Sequence, residues 1–333
     1  MTITAQVALV GDIPPYDISF LGILPSRTSE EEGVSVRYVY PESPAARAGI
    51  AAGDLIVNCQ GVKLQDADQL RNMVGTHDRE TGDLELSVQQ KGELRKLNVK
   101  LASLPEEVPP SLPPLAKPDA ADAELPATGL IEVKLPEIAN NCFAYVPQSY
   151  HPDVPHGLLV WLHAPGKFSK DGIEPTWRDV CEKHGLILVA PQAAKDDAWQ
   201  PTEAEFVRKA IDDVVDRYNV DATRIVAGGD QAGGTFAALV AAANLEVVRG
   251  VAMNDAALPA RVAIPSSDPL QRLAYFISVA KESKLKDRIE SGIERLRENK
   301  LPVSRQQLEQ DAATLTEKQR AELARWTDTL DRI

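Results

Sequence analysis

The chain has 333 residues, of which 44% are hydrophobic and 26% charged, and a formal net charge of −13 at pH 7. This length and apolar content suffice for about two independent hydrophobic cores, so two globular domains are expected. The sequence contains no basic stripe that could neutralise phosphates, which argues against nucleic acid and anionic membranes as partners. No apolar run reaches the length of a transmembrane helix.

The cysteines and histidines favour neither a disulfide framework nor a metal centre. Cys59, Cys142 and Cys181 are an odd number of widely separated thiols, which we interpret as small buried apolar side chains. His151 and His156 lie close together, but two ligands on a proline-rich loop do not fix tetrahedral geometry. The sequence therefore predicts no metal site and no cofactor.

Residues 1–14 form the first segment, whose apolar side chains alternate as in a β-strand. Val7-Ala8-Leu9 followed by Pro14 resembles Val99-Lys100-Leu101 followed by Pro105. We interpret the segment as the end of an upstream repeat, which would make the chain a piece of a longer protein. No signal-peptide pattern is visible. The expected compartment is periplasmic or extracellular for a fragment of an exported protein, and cytoplasmic otherwise.

Residues 15–104 carry short strand-like runs separated by glycines and one short helical stretch, which predicts a compact, mostly β domain. Within it, Pro44 can open a short helix, Gly49 can close that helix in a left-handed conformation, and Gly53-Asp54 can turn the chain into the next strand. This string resembles the PDZ domains of high-temperature-requirement serine proteases, over residues 16–104. The resemblance implies an α+β fold.

The same resemblance implies that the domain binds the C-terminal carboxylate of a peptide by strand addition. In this family, backbone amides of a loop with apolar, glycine, apolar character hold the carboxylate, and Gly22 matches the glycine, whose missing Cβ lets the amides approach an anion. The residues expected to bind the peptide are Phe20, Leu21, Gly22, Ile23, Leu70, Met73 and Val74. The alternative is that the apolar members of this set are only core residues. The expected partners are C-terminal peptides or the tails of unfolded proteins.

Residues 105–129 contain seven prolines and no aromatic residue. Such a composition cannot bury enough surface to fold and favours an extended polyproline conformation. We therefore predict a spacer between two domains. The alternative, a proline-motif ligand at Pro110 to Pro113, has less support from composition.

Residues 130–333 alternate apolar runs with amphipathic helices, which predicts a parallel sheet covered on both faces. Five buried strands are expected within 157–162, 186–190, 224–227, 248–253 and 273–279, and the last two helices within 284–299 and 316–332. The run from Leu158 to Gly166 and the glycine-rich turn from Arg224 to Gly234 resemble the small esterases of the α/β hydrolase fold. The expected fold class is thus an α+β PDZ domain followed by a three-layer α/β domain with a mostly parallel sheet.

The turn between Arg224 and Gly234 keeps its glycines but lacks the attacking group of this family. Active relatives carry a serine at the position of Gln231. They also need a nucleophile, an acid and a histidine in chain order, but no histidine follows His184. Because these two deficits are independent, we predict a catalytically inactive domain.

Several residues mark the vestigial hydrolase site. They are His163, Gly166, Gly229, Asp230, Gln231, Ala232, Gly233 and Glu282. Ala232 and the loop 164–167 correspond to the oxyanion hole, where Pro165 has no amide to offer. Asp230 would serve as a nucleophile only if the turn slipped by one residue, and it would still lack a histidine base.

The predicted function is that of an interaction protein, in which a PDZ module binds peptide C-termini and an inactive hydrolase-like domain acts as scaffold or ligand-binding unit. Two alternatives stay open at the level of sequence. One is an active carboxylesterase or peptidase with an unrecognised site. The other is the non-catalytic C-terminal part of a larger serine protease.

Overall fold

The structure is a computed structural model that describes residues 16–28, 31–114, 126–195, 197–260, 262–268, 272–308 and 314–333. The strand predicted within residues 1–14 lies outside these ranges. Among the described residues, no helix is long and apolar enough to cross a membrane.

The N-terminal domain combines antiparallel strands with two helices. Its elements are β1 (Ser19–Phe20), β2 (Ile23–Pro25), β3 (Val34–Val39), α1 (Pro44–Arg47), β4 (Leu55–Cys59), β5 (Val62–Lys63), α2 (Ala67–Thr76), β6 (Leu84–Gln90), β7 (Glu93–Val99) and β8 (Ala102–Ser103). One sheet has the order β2-β3-β4-β6-β7 with β5 paired to β4, and β1 pairs with β8. Helix α1 begins at Pro44 because the Ser43 side chain accepts a hydrogen bond from the Ala46 amide.

The C-terminal domain is built on one eight-stranded sheet. Its elements are β9 (Gly129–Glu132), β10 (Cys142–Val146), β11 (His156–Leu162), α3 (Lys170–His184), β12 (Leu186–Pro191), α4 (Glu203–Arg217), β13 (Val220–Asp230), α5 (Ala232–Ala243), β14 (Gly250–Asn254), β15 (Ala274–Ala280), α6 (Lys286–Glu298), β16 (Val303–Leu308) and α7 (Glu317–Asp328). The strand order is β16-β15-β14-β13-β11-β12-β10-β9. Neighbouring strands are parallel from β16 to β12, and β10 is antiparallel to both β12 and β9.

Helices cover both faces of this sheet, so the domain has three layers. Apolar residues of α4, α5 and α6 pack on one face, and those of α3 and α7 pack on the other. Trp326 of α7 is fully buried and lies against Phe276 of β15, with ring centroids 5.4 Å apart. The predicted fold class is therefore confirmed for both domains.

The structure differs from the prediction at the sheet edges and at the last helix. Strands β9, β10 and β16 were not among the five predicted strands. Helix α7 ends at Asp328 rather than near Arg332. The reason lies in residues 329–333, which leave the helix and make hydrogen bonds to the N-terminal domain.

The first part of the proline-rich segment lies against the C-terminal domain. Glu106 forms an ion pair with Arg297 at 2.6 Å. The Pro109 carbonyl accepts a hydrogen bond from Arg325 Nε at 3.0 Å, and Val108 packs against the core beneath α3 and α7. Residues 106–109 are thus docked through contacts to particular side chains, whereas the composition alone indicated a spacer.

A cluster of buried charges joins the two domains. Arg27, which follows β2, lies 3.1 Å from Asp221, 2.6 Å from Asp328 and 2.8 Å from Asp331. Arg224 is completely buried and contacts Asp221 at 2.9 Å. Burial alone would raise the pKa of Asp221, but the guanidinium groups of Arg224 and Arg27 outweigh it and lower that pKa to about 2.

Candidate functional site

The loop between β1 and β2 presents two backbone amides to the last residue of the sequence. The Gly22 and Ile23 amides both donate to the main-chain oxygen of Ile333, at 2.8 and 3.2 Å. Gly22 has a φ of 98°, which L side chains rarely adopt. A Cβ at this position would lie 2.1 Å from the Ser43 Cβ. Only glycine therefore fits this turn, and the turn directs both amides at one oxygen.

Ile333 also pairs with β2 in the manner of an added strand. The Ile333 amide donates to the Ile23 carbonyl at 3.0 Å, while the Ile23 amide donates to Ile333 at 3.2 Å. This reciprocal exchange is the pattern of a hydrogen-bonded pair in an antiparallel ladder. The Ile333 side chain is only 2% exposed and belongs to the apolar core of the N-terminal domain.

The residues predicted to bind a peptide do not all meet at one place. Leu21, Ile23, Leu70 and Val74 share a buried apolar cluster with Ile333, and Met73 packs against that cluster. Phe20 lies in a different cluster, where its ring contacts Tyr40 edge to face at 5.2 Å. The structure thus separates Phe20 from the other predicted side chains and places Leu70 and Val74 beside Ile333.

Two arginines that were not predicted also hold the segment that ends at Ile333. Arg71 of α2 donates to the Asp331 carbonyl at 3.0 Å, and Arg272 donates to the Arg332 carbonyl at 3.2 Å. Arg71 is nearly buried despite its charge. No local sequence signal marks these contacts, since Arg71 lies 260 positions and Arg272 lies 60 positions from its main-chain acceptor.

The turn at Gln231 has the geometry of a nucleophile elbow. Gln231 lies directly between β13 and α5 with φ 51° and ψ −115°, a strained conformation for a residue other than glycine. A Cβ on Gly229 would lie 2.4 Å from the Leu162 carbonyl oxygen, and one on Gly233 would lie 2.2 Å from the same atom. The two glycines therefore permit the close approach of helix and strand that keeps Gln231 in this strained turn.

Gln231 lines an open cleft of about 450 Å³ at the carboxyl ends of the parallel strands. Ala232, Asp255 and Glu282 line the same cleft, so Glu282 lies near Gln231. No imidazole is among the described residues that line it. The cleft thus offers two carboxylates, the Lys284 ammonium group, the hydroxyls of Thr235 and Ser283 and the Gln231 amide, but no imidazole of the kind that serves a triad.

His163 lies near the turn, but backbone groups engage both of its ring nitrogens. Nε2 accepts from the Ala193 amide at 3.1 Å, and Nδ1 lies 2.8 Å from the Ala164 carbonyl, to which it donates. The ring also contacts Phe168 and Trp199 at centroid distances of 5.3 and 5.1 Å. His163 therefore has a structural role, and Gly166, with φ 66°, forms part of the loop that follows it.

The other histidines lie away from the elbow. His77 follows α2 in the N-terminal domain, whereas His151 and His156 precede or begin β11 and His184 ends α3 before β12. The last three are therefore at the amino ends of the strands, opposite to Gln231. Burial lowers the pKa of His156 and of His184 to about 4, so both imidazoles are neutral at pH 7.

Asp230 points away from the Gln231 cleft. It accepts hydrogen bonds from Trp161 Nε1 at 3.0 Å and from Asn254 Nδ2 at 2.7 Å. It borders a second cleft of about 360 Å³, whose walls include Trp161, Trp177 and Arg320. Burial raises the pKa of Asp230, although the two hydrogen bonds act in the opposite direction. A nucleophilic role in the Gln231 cleft would require breaking both bonds and turning the side chain to the other face of the sheet.

The thiols do not supply a substitute nucleophile. Cys59, Cys142 and Cys181 are all buried and unpaired. Burial raises the pKa of Cys59 to about 11 and that of Cys142 to about 12, which keeps both protonated at neutral pH. Among the described residues, no group of three or more His, Cys, Asp or Glu side chains is arranged to hold a metal ion.

Several solved structures are similar to this chain. The Francisella virulence factor BioJ shares 14% identity, with 62% of this chain and 86% of that chain covered and a TM-score of 0.48. FphF, a fluorophosphonate-binding serine hydrolase of Staphylococcus aureus, shares 14% identity, with 60% and 97% covered and a TM-score of 0.48. A comparison with curated proteins finds no match.

The N-terminal domain is matched by a family model. Residues 19–101 fit the family described as PDZ domain. A solved structure of the HtrA3 PDZ domain bound to a phage-derived ligand shares 26% identity, with 26% of this chain and 86% of that chain covered and a TM-score of 0.23. The predicted resemblance is confirmed: residues 19–101 match the PDZ family model, and an α/β domain with a mostly parallel sheet follows them.

Proposed function

We propose that this chain is a peptide-binding protein whose PDZ groove captures C-terminal carboxylates. The observation that carries the proposal is the pair of amides, from Gly22 and Ile23, that converge on the main-chain oxygen of Ile333. Two donors aimed at one oxygen, beside an apolar pocket for the adjoining side chain, suit a peptide that ends in a free carboxylate and an aliphatic residue.

Carboxylate capture is tested with a fluorescein-labelled peptide that has the sequence of residues 329–333. The carboxylated peptide is expected to bind at least about tenfold more tightly than its amide, because charge-assisted hydrogen bonds are about twice as strong as neutral ones. Gly22→Ala should abolish binding, since its Cβ would collide with Ser43. Gly53→Ala is the matched control, because Gly53 also has a positive φ, 90°, but meets no atom within 4 Å. Equal affinity for peptide and amide would reject carboxylate capture.

The same proposal assigns the α/β domain a scaffolding role without catalysis. Gln231 stands at the elbow, His163 is engaged at both nitrogens, and the remaining histidines lie at the far edge of the sheet or in the PDZ domain. Acyl transfer needs a nucleophile and a partnered base. The described residues that line the Gln231 cleft include the hydroxyls of Thr235 and Ser283, but no imidazole that could activate either of them.

Inactivity is tested with a chromogenic short-chain ester. Neither the native chain nor Gln231→Ser is expected to exceed the buffer rate, because a serine without an imidazole partner remains protonated and weakly nucleophilic. A fluorophosphonate probe should likewise label neither protein. Hydrolysis by the native chain that is lost in Gln231→Ala would contradict the proposal.

A further inference from the structure

We propose that the ligand of the PDZ groove is the chain's own segment Thr329–Ile333, which closes the groove to other C-terminal peptides until it leaves. This inference rests on the proposed function of the groove and goes beyond it by naming the occupant. It concerns a chain in which Ile333 carries the free carboxylate.

The contacts that Ile333 makes in the groove have the features of a bound peptide. Ile333 exchanges two backbone hydrogen bonds with Ile23, and its main-chain oxygen also accepts from the Gly22 amide. The side chain of Ile333 is 2% exposed, in one cluster with Leu21, Leu70 and Val74. A second peptide could not use these donors and this pocket while Ile333 remains there, so the two ligands exclude each other.

The segment is held in position by the α/β domain. It follows α7 directly, and α7 is anchored by the fully buried Trp326, while Leu330 packs against the same core. Only four residues separate the helix end at Asp328 from Ile333. A tether this short gives Ile333 an effective concentration in the millimolar range at the groove. A peptide of equal intrinsic affinity would therefore compete poorly at micromolar concentration.

Ion pairs hold both the segment and the end of α7 that precedes it against the PDZ domain. The Asp331 carboxylate lies 2.8 Å from Arg27, and the Asp328 carboxylate lies 3.0 Å from Arg37, both arginines belonging to the PDZ domain. Arg71 of α2 holds the Asp331 carbonyl at 3.0 Å. Departure of the segment from the groove would separate Asp331 from Arg27 and Arg71, so groove occupancy is coupled to domain docking. The α/β domain thus carries the segment that occupies the groove.

The inference is tested by competition on the full chain. The carboxylated peptide of residues 329–333 is titrated into the native chain, into Ile333→Ser and into Leu94→Ser. Ile333→Ser is expected to bind the peptide about 10- to 100-fold more tightly than the native chain, because its own end has lost the apolar side chain that fills the pocket. Leu94→Ser removes an aliphatic side chain that is 65% exposed, and it should bind as the native chain does. Circular dichroism establishes that each variant is folded.

If Ile333→Ser does not fold, a chain extended by two glycines beyond Ile333 replaces it in the competition experiment. It keeps every native side chain but moves the carboxylate away from the loop, and it too should bind the peptide more tightly. Equal affinity of native chain and variant, with the carboxylated peptide preferred over its amide, would overturn self-occupancy and leave the proposed function intact. If no variant preferred the carboxylated peptide over its amide, both self-occupancy and the proposed function would be overturned.

Discussion

Replacing Arg27 by methionine is expected to lower the free energy of unfolding by about 3–5 kcal/mol, the usual cost of removing one partner from a buried ion cluster. Its guanidinium lies within 3.1 Å of Asp221, Asp328 and Asp331, with the arginine side chain 12% exposed. Burial alone would lower the pKa of Arg27, but these three carboxylates outweigh that effect and raise it. Methionine fills a similar volume but leaves the carboxylates without their shared cation.

Two further variants separate charge from packing at this position. Arg27→Lys is expected to lose part of the stability, because a single ammonium group cannot replace a planar fork that contacts three carboxylates. Lys63→Met is the control for loss of a cation, since Lys63 forms an ion pair with Glu32 and both side chains are 68% exposed. It should leave the unfolding midpoint unchanged. Urea denaturation measures all three. A loss in Arg27→Met no larger than that in Lys63→Met would contradict the account of the interface.

The parts of the fold that could be predicted are those whose signal is local. The helix from Pro44 is specified by its capping serine and by Gly49, all within seven residues. The buried strands β11 and β12 are continuous apolar runs, and such runs mark parallel strands covered on both faces. In contrast, β16 reads Val-Ser-Arg-Gln-Gln-Leu, with exposed positions between buried ones. Its pairing with β15 is a contact between distant residues, which the pattern within β16 itself does not predict.

The candidate site could be predicted only on its receptor side. Gly22 was recognisable because a glycine between apolar residues matches a known loop, and the steric reason is local, the approach of Ser43. The occupant was not recognisable, because Ile333 is 311 positions away from Gly22 in the sequence and its segment continues a helical pattern. The ion pairs that hold the segment were hidden for a related reason: Arg27, Asp328 and Asp331 are residue types that are ordinarily solvated, and only the fold buries them together.

At the turn that carries Gln231, the sequence revealed the residue types but not the backbone conformation. Gln231 and the absent late histidine were visible in the sequence, whereas the strained φ of 51° at Gln231 was not. The close packing of Gly229 and Gly233 against the Leu162 carbonyl oxygen supplies a physical reason for the persistence of this strain, because relaxing the turn would disrupt the contact between α5 and the sheet.

Extending the chain by two glycines beyond Ile333 is expected to drive the segment from the groove and to speed the hydrogen exchange of the Gly22 and Ile23 amides by at least about 100-fold. The reason is that the extension replaces the charged carboxylate, which both amides share as acceptor, by a neutral peptide carbonyl followed by further chain. The Ala45 amide is the internal control. It lies against the same loop and donates to the Leu21 carbonyl at 2.8 Å, so its exchange should not depend on Ile333.

Amide exchange, followed by NMR on the native and the extended chain, is therefore the most direct measurement of whether this PDZ groove holds its own chain end. The account predicts that Gly22 and Ile23 are protected in the native chain and lose that protection in the extended chain, while Ala45 exchanges slowly in both. Unchanged protection of Gly22 and Ile23 after the extension, or fast exchange of these two amides in the native chain, would contradict it.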